Sequence, residues 1–201
     1  MSASSITEEI AAAAARLVVE EGMEYGPAKR RAARAVGRSS TRSADLPGND
    51  ELEEAVRDYI ALFCADTQPT ELAELRAIAA RWMERLAPFR PYLSGAVWRG
   101  TATRLSSIHL DLYCDDSKAA ELALIDRRVD YDVGSTPGPR GASVDVLSIA
   151  EPSAAFGEPV TLYLHVLDHD DLRGALKPDG TGRTLRGDLA SLQALMREAE
   201  R

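Results

Sequence analysis

Along the first 90 residues apolar side chains recur at intervals of three and four, the spacing of one helix face. Beyond Pro91 they alternate, or run in short blocks between glycine- and proline-rich turns. Ile6, Ile10, Ala14, Leu17 and Val18 form a first stripe, opened by the capping-box form Ser5-Ile-Thr-Glu8 and stopped at Gly22. Pro27 suits the start of a second, short basic helix, where a missing N–H costs nothing. Residues 38–49 read as a loop closing on Pro47-Gly48. A third helix over residues 50–65 aligns Leu52, Val56, Tyr59, Ile60, Phe63 and Cys64. A fourth, from the Thr70 cap to Leu86, aligns Leu72, Leu75, Ala79, Trp82 and Leu86, the seam of a helix packed lengthwise on another.

The second half alternates strands and helices. Strands are predicted at residues 96–98, 108–113, 129–133, 143–149 and 160–167, with residues 134–141 and 151–159 as connections. Helices are predicted at residues 117–128, capped by Asp115 and Asp116, and at residues 185–200, with Leu189, Leu192 and Leu195 or Met196 inward. The product is an α+β chain: a small mixed β-sheet with flanking helices over residues 91–201, preceded by an N-terminal helical region over residues 1–90.

A length of 201 residues with 45% hydrophobic content supports one sizeable domain or two small ones. No apolar run approaches the ~18–20 residues that span a bilayer, and the first residues lack the features of a signal peptide. Cys64 and Cys114 share no metal-ligand or redox spacing and suit a reducing cytosol as small core hydrophobes. The expectation is a cytoplasmic protein without a membrane partner. A formal charge of −8 argues against indiscriminate nucleic-acid binding. Lys29, Arg30, Arg31, Arg34, Arg38 and Arg42 nevertheless cluster without an intervening acid, so a solvated helix face or a phosphate-binding patch are both open readings.

The segment from Leu93 to Tyr113, Leu-Ser-Gly-Ala-Val-Trp-Arg-Gly-Thr-Ala-Thr-Arg-Leu-Ser-Ser-Ile-His-Leu-Asp-Leu-Tyr, carries the most specific pattern in the chain. It resembles the opening of a nucleotidyltransferase fold of the DNA polymerase beta type, a family with Gly-Ser, a Gly-Thr-Ala turn and Ser-Asp-Ile-Asp-Leu on a strand. Gly95, Gly100, Thr101, Ala102, Ser106, Ile108 and Leu110 fit that pattern, whereas Ala96 replaces the serine, and Ser107 and His109 replace the two aspartates. The resemblance implies nucleotide-binding roles for Gly95, Gly100, Thr101 and Ser107. It also implies a damaged Mg²⁺ site, because magnesium wants carboxylate and water oxygens while imidazole suits other metals. Alternate strand residues share a face, so Asp111 lies beside His109. A shifted metal site would pair Asp111 with a carboxylate from a later strand, Asp145 being the best placed, with His109 as a base or phosphate donor.

Two functional readings follow. In the first, the chain keeps the fold, has lost standard Mg²⁺-dependent transfer, and binds a nucleoside triphosphate, a nucleic acid or a protein partner, with Lys29, Arg30 and Arg34 as a second contact surface. In the second it is an active nucleotidyltransferase with Mg²⁺ at Asp111 and Asp145. A second, fainter resemblance links residues 11–37 to the start of TetR-type repressor DNA-binding domains, through an alanine-rich helix, a Glu-Glu-Gly turn and an Ala-Ala-Arg helix. That family needs a recognition helix directly afterwards. His165-Val-Leu-Asp-His-Asp-Asp171 matches no zinc spacing, and Asp170 or Asp171 is expected to cap a helical turn over residues 172–176. Lys177-Pro-Asp-Gly-Thr-Gly182 reads as a turn, without the ending of a P-loop, and no nucleophile elbow is present.

Overall fold

The computed structural model describes residues 3–37, 46–177, 182 and 184–199. The expected basic positions Arg38 and Arg42, and most of the Lys177–Gly182 turn, lie outside the described residues. The chain forms two compact units, one of Met1–Glu71 with Thr101–Ser106, the other of Leu72–Gly100 with Ser107–Arg201.

The first unit is helical. Helices α1 (Ala3–Glu21), α2 (Tyr25–Ala35) and α3 (Asn49–Phe63) enclose Ile10, Ala14, Ala15, Val18, Ala28, Ala32, Leu52, Val56 and Ile60. Small alanines on α1 and α2 let the backbones approach closely, so the unit needs few large side chains. Helix α1 runs from Ala3, so Ser5 lies within it rather than ahead of it. Pro27 sits in the first turn of α2, where its ring disturbs no intrahelical bond. At the start of α3, Glu51 Oε2 accepts a 2.7 Å bond from Gly48 N. Helix α4 (Gln68–Arg85) follows and crosses the division between the units.

The second unit carries a six-stranded mixed sheet among the described residues, built from β1 (Tyr92–Ser94), β2 (Ile108–Tyr113), β3 (Asp132–Pro137), β4 (Ser143–Pro152), β5 (Pro159–Leu167) and β6 (Arg186–Gly187). The strand order is β3-β4-β5-β2-β1-β6, with β2 and β5 parallel and the other pairs antiparallel. Helices α5 (Gly95–Arg99), α6 (Ser117–Asp126), α7 (Leu172–Ala175) and α8 (Leu189–Ala199) complete it. The architecture is α+β, a mixed sheet with flanking helices after an N-terminal helical region, as the periodicity predicts.

Several local expectations are corrected. Residues 96–98 form helix, not strand: Gly95 and Gly100 both take positive φ, 72° and 84°, and bracket a short helix between them. The strand partner of β2 is instead β1, through Tyr92↔Asp111, Leu93↔Leu110 and Ser94↔His109. The β3 strand lies later than residues 129–133, and the turn it shares with β4 is confined to the residues between Pro137 and Ser143. Residues 186–187 pair as an edge strand rather than opening the closing helix. Asp188 Oδ1 accepts from Ser191 N at 2.9 Å, which starts α8 only afterwards. Asp116 caps α6 as expected, accepting from Lys118 N at 2.9 Å. Asp171 stands at the N-cap position of α7, as expected, although its side chain makes no cap bond there; Asp168 accepts from Asp170 N at 2.8 Å and caps the preceding turn, His169–Asp171.

The two faces of the sheet differ. Leu93, Ile108, Leu110, Leu112, Leu147, Ile149, Leu162, Leu164 and Val166 are buried and, by the register, share one face. Leu75, Ile78, Ala79, Trp82, Met83 and Leu86 of α4, Ala120 and Leu124 of α6 and Leu192 of α8 are also buried. The opposite face is polar and aromatic.

Candidate functional site

That second face gathers Tyr92 and Ser94 from β1, His109, Asp111 and Tyr113 from β2, Tyr163 and His165 from β5 and Arg186 from β6. Tyr92, Ser94, His109, Tyr163, His165 and Arg186 are half-buried, whereas Asp111 and Tyr113 are buried. The parallel pairing of β2 and β5 sets His109 beside Tyr163 and Asp111 beside His165, one strand spacing apart, about 4.8 Å. The rings respond by stacking. His109 and Tyr163 have centroids 5.2 Å apart at 28°, and His109 and His165 have centroids 5.4 Å apart at 22°. His109 Nδ1 lies 3.1 Å from His165 Nε2, so one nitrogen donates and the other accepts.

Arg186 organises the other half of the face. Its Nη1 donates to Asp111 Oδ2 at 2.7 Å and to Tyr113 Oη at 2.6 Å. The Asp111 and Arg186 side chains are only 10% and 22% exposed, so this ion pair is largely desolvated. Tyr92 meets Tyr113 edge to face, with centroids 5.7 Å apart. Burial, and then the Asp111 carboxylate, push the Tyr113 phenol up to about 12, against the opposing pull of Arg186. The ring is therefore a neutral hydrogen-bonding group at any physiological pH.

The expected site residues separate in space. Asp111 and His109 share the polar face, but Asp145 does not join them. Asp145 pairs with Val166, and Val166 with Leu112, which places it on the apolar face. There it lies 3.8 Å from Lys118 Nζ and lines a cleft of about 400 Å³ with Cys114, Asp115, Arg140, Asp168 and Asp171. The metal pair Asp111 and Asp145 is thus not assembled by this sheet. Gly95 does approach the site: a Cβ there would lie 3.3 Å from His109 Cδ2. Gly100 ends α5, Thr101 is buried in the other unit, and Ser107 precedes β2. Tyr163, Tyr92 and Arg186 were not legible as site residues, because their proximity to His109 and Asp111 depends on strand order alone.

In the first unit, Arg30 and Arg34 are exposed on α2, opposite buried Ala28, Ala32 and Ala33. Lys29 is instead held by Pro47 O at 3.1 Å and Asn49 Oδ1 at 2.8 Å. The next described helix, α3, carries Asp50, Glu51, Glu53, Glu54 and Asp58 against one arginine. Such an acidic helix is unsuited to the phosphate-lined major groove that a TetR-type recognition helix enters. No described helix is long and apolar enough to cross a membrane.

No family model matches the chain, and no curated protein matches it. Among solved structures it is similar to that of Cid1 in complex with the UTP analogue UMPNPP, at 12% identity and TM-score 0.35, over 55% of this chain and 36% of that one. It is also similar to the MgGTP-bound Cid1 poly(U) polymerase, at 16% identity and TM-score 0.35, over 55% of this chain and 38% of that one. The chain thus spans well under half the length of either neighbour. A likeness this loose establishes neither family nor chemistry, and the site is read from its own residues.

Proposed function

We propose that this chain is a nucleotide-binding protein of nucleotidyltransferase-like fold that has lost standard Mg²⁺-dependent nucleotidyl transfer. The observation that carries the reading is the engagement of Asp111 by Arg186, on a face whose other strand positions offer imidazole and phenol rather than carboxylate. Mg²⁺ asks for near-octahedral oxygen ligands. Asp111 already neutralises a guanidinium, His109 is a poor magnesium ligand, and Asp145 belongs to the opposite face. The residues present do not fit the ion, and the shifted-site enzyme is not favoured by any contact described above.

What the face does suit is a flat, hydrogen-bonding ring. His109, Tyr163 and His165 form a stacked platform beside a cationic group, the combination that holds a base and an anionic substituent. The test is thermal unfolding with nucleoside triphosphates. A ligand at ~100 times its Kd adds about 2.7 kcal/mol, a rise of roughly 5–10 °C for a chain of this size. The expected rise occurs in EDTA and falls in Tyr163→Ala and His165→Ala. A rise that requires Mg²⁺ and disappears in Asp111→Ala would restore the enzyme reading. No rise with any triphosphate, with or without Mg²⁺ or Mn²⁺, would remove nucleotides altogether and leave a protein partner.

A further inference from the structure

We infer that Arg186 is the phosphate-binding group of this face, supplying through its guanidinium fork the directed hydrogen bonds that hold the anionic end of a phosphorylated ligand. The inference rests on the nucleotide reading above, and adds to it the anchor and the chemistry of the ligand's anionic end. Its starting point is an imbalance in the hydrogen bonding of Arg186. The bonds to Asp111 and Tyr113 both leave from Nη1, while Nε is buried and has no hydrogen-bond partner. A buried donor left unpaired is destabilising, so such a group calls for an acceptor.

The geometry of arginine makes this donor specific in what it accepts as a partner. Nε and Nη2 form the fork that meets two oxygens of one phosphate or carboxylate in parallel. Anchoring Nη1 to Asp111 and to Tyr113, whose ring is itself braced by Tyr92, fixes the plane of that fork with little freedom left to lose. The side chain is 22% exposed, so a ligand can reach it from solvent. Asp111 adjoins His165 in the register, about 4.8 Å across one strand spacing. A phosphate on the fork therefore lies within a nucleotide's length of the His109–Tyr163–His165 platform. Because Asp111 offsets the charge of Arg186, the fork selects by geometry and hydrogen bonding more than by long-range attraction. A planar-ringed phosphate ester meets both halves of the face, and an isolated inorganic ion only one.

The experiment uses the full chain labelled with ¹⁵N-arginine, in EDTA, with the Arg186 Nε–H resonance assigned by its loss in Arg186→Lys. Pyrophosphate, a nucleoside triphosphate and the matching nucleoside are titrated separately. The expected result is that pyrophosphate and the triphosphate shift the Nε–H resonance and slow its exchange, whereas the nucleoside binds without moving it. Arg186→Lys keeps a cation beside Asp111 but loses the fork; it should weaken the triphosphate by ~10–100-fold and leave nucleoside affinity unchanged. If the phosphates leave the resonance in place, or the lysine variant binds triphosphate as tightly as the parent, Arg186 is not the anchor. Nucleoside binding without a phosphate response overturns this inference alone and spares the stacking platform. A phosphate response without nucleoside binding supports the fork and removes the platform; silence from all three removes both. Should Arg186→Lys fail to fold, Arg186→Gln supplies the assignment, and the titrations of the unaltered chain then decide.

Discussion

Replacing Asp111 by asparagine distinguishes an ion pair from a metal ligand by the sign of one free-energy change. Carboxylates gathered for a metal repel one another when the ion is absent, so neutralising one of them stabilises the protein. In the ion-pair account the reverse holds. Asp111 and Arg186 are 10% and 22% exposed and lie 2.7 Å apart. Breaking a buried pair by removing one partner costs about 3–5 kcal/mol, because the other charge is left uncompensated. The partial exposure of Arg186 reduces this to roughly 2–4 kcal/mol, a fall in Tm of about 5–15 °C for a chain of this length. Urea unfolding of the parent, Asp111→Asn, Arg186→Met and the double variant, followed by tyrosine and tryptophan fluorescence, gives the cycle directly. The double variant should recover part of the loss, leaving a favourable coupling of about 1–3 kcal/mol between the two positions. Stabilisation by Asp111→Asn, or strict additivity of the two substitutions, would refute the reasoning.

Other consequences are equally concrete. Tyr113 holds its proton to about pH 12 against an ordinary value near 10, so its contribution is complete below pH 10 and is lost as pH rises toward 12. Tyr113→Phe should therefore flatten the alkaline decline in urea-derived stability between those limits, by up to about 2–3 kcal/mol; an unchanged slope would place the titration elsewhere. Gly187→Ala would set a Cβ 2.0 Å from Trp98 Cη2, forcing the indole from its 2.7 Å bond to Thr184 O. A cost of about 1–3 kcal/mol and a red-shifted tryptophan emission are expected, and a spectrum identical to the parent's would contradict that packing. Charge reversal at Arg30 and Arg34, both exposed on α2, should weaken retention of RNA or DNA at low salt; indifference would remove the nucleic-acid surface.

The helices α3 and α4 and the strands β4 and β5 were legible because their patterns are long enough to show a period: Leu52, Val56 and Ile60 on α3, or the alternation through Val160, Leu162, Leu164 and Val166 on β5. Helix α5 was not, since Gly95 to Arg99 is barely more than a turn and its valine and tryptophan favour strands. Strand β3 lies at the sheet edge with nearly every residue exposed, so it has no apolar alternation to read. His109 and Asp111 could be placed on one face from β2 alone. The face of Asp145 could not, because a one-residue change of register reverses every side chain and register is set by pairing with Val166 far along the chain. Arg186 was hidden for the same reason: its carboxylate partner lies 75 residues earlier.

A crystal structure of the protein grown with a nucleoside triphosphate and Mn²⁺ bears on all of this at once. The expected map has the base against His109, Tyr163 and His165, a phosphate on the guanidinium of Arg186, and no anomalous manganese signal at Asp111. A manganese peak on the Asp111 carboxylate, with Arg186 swung aside, would contradict the account.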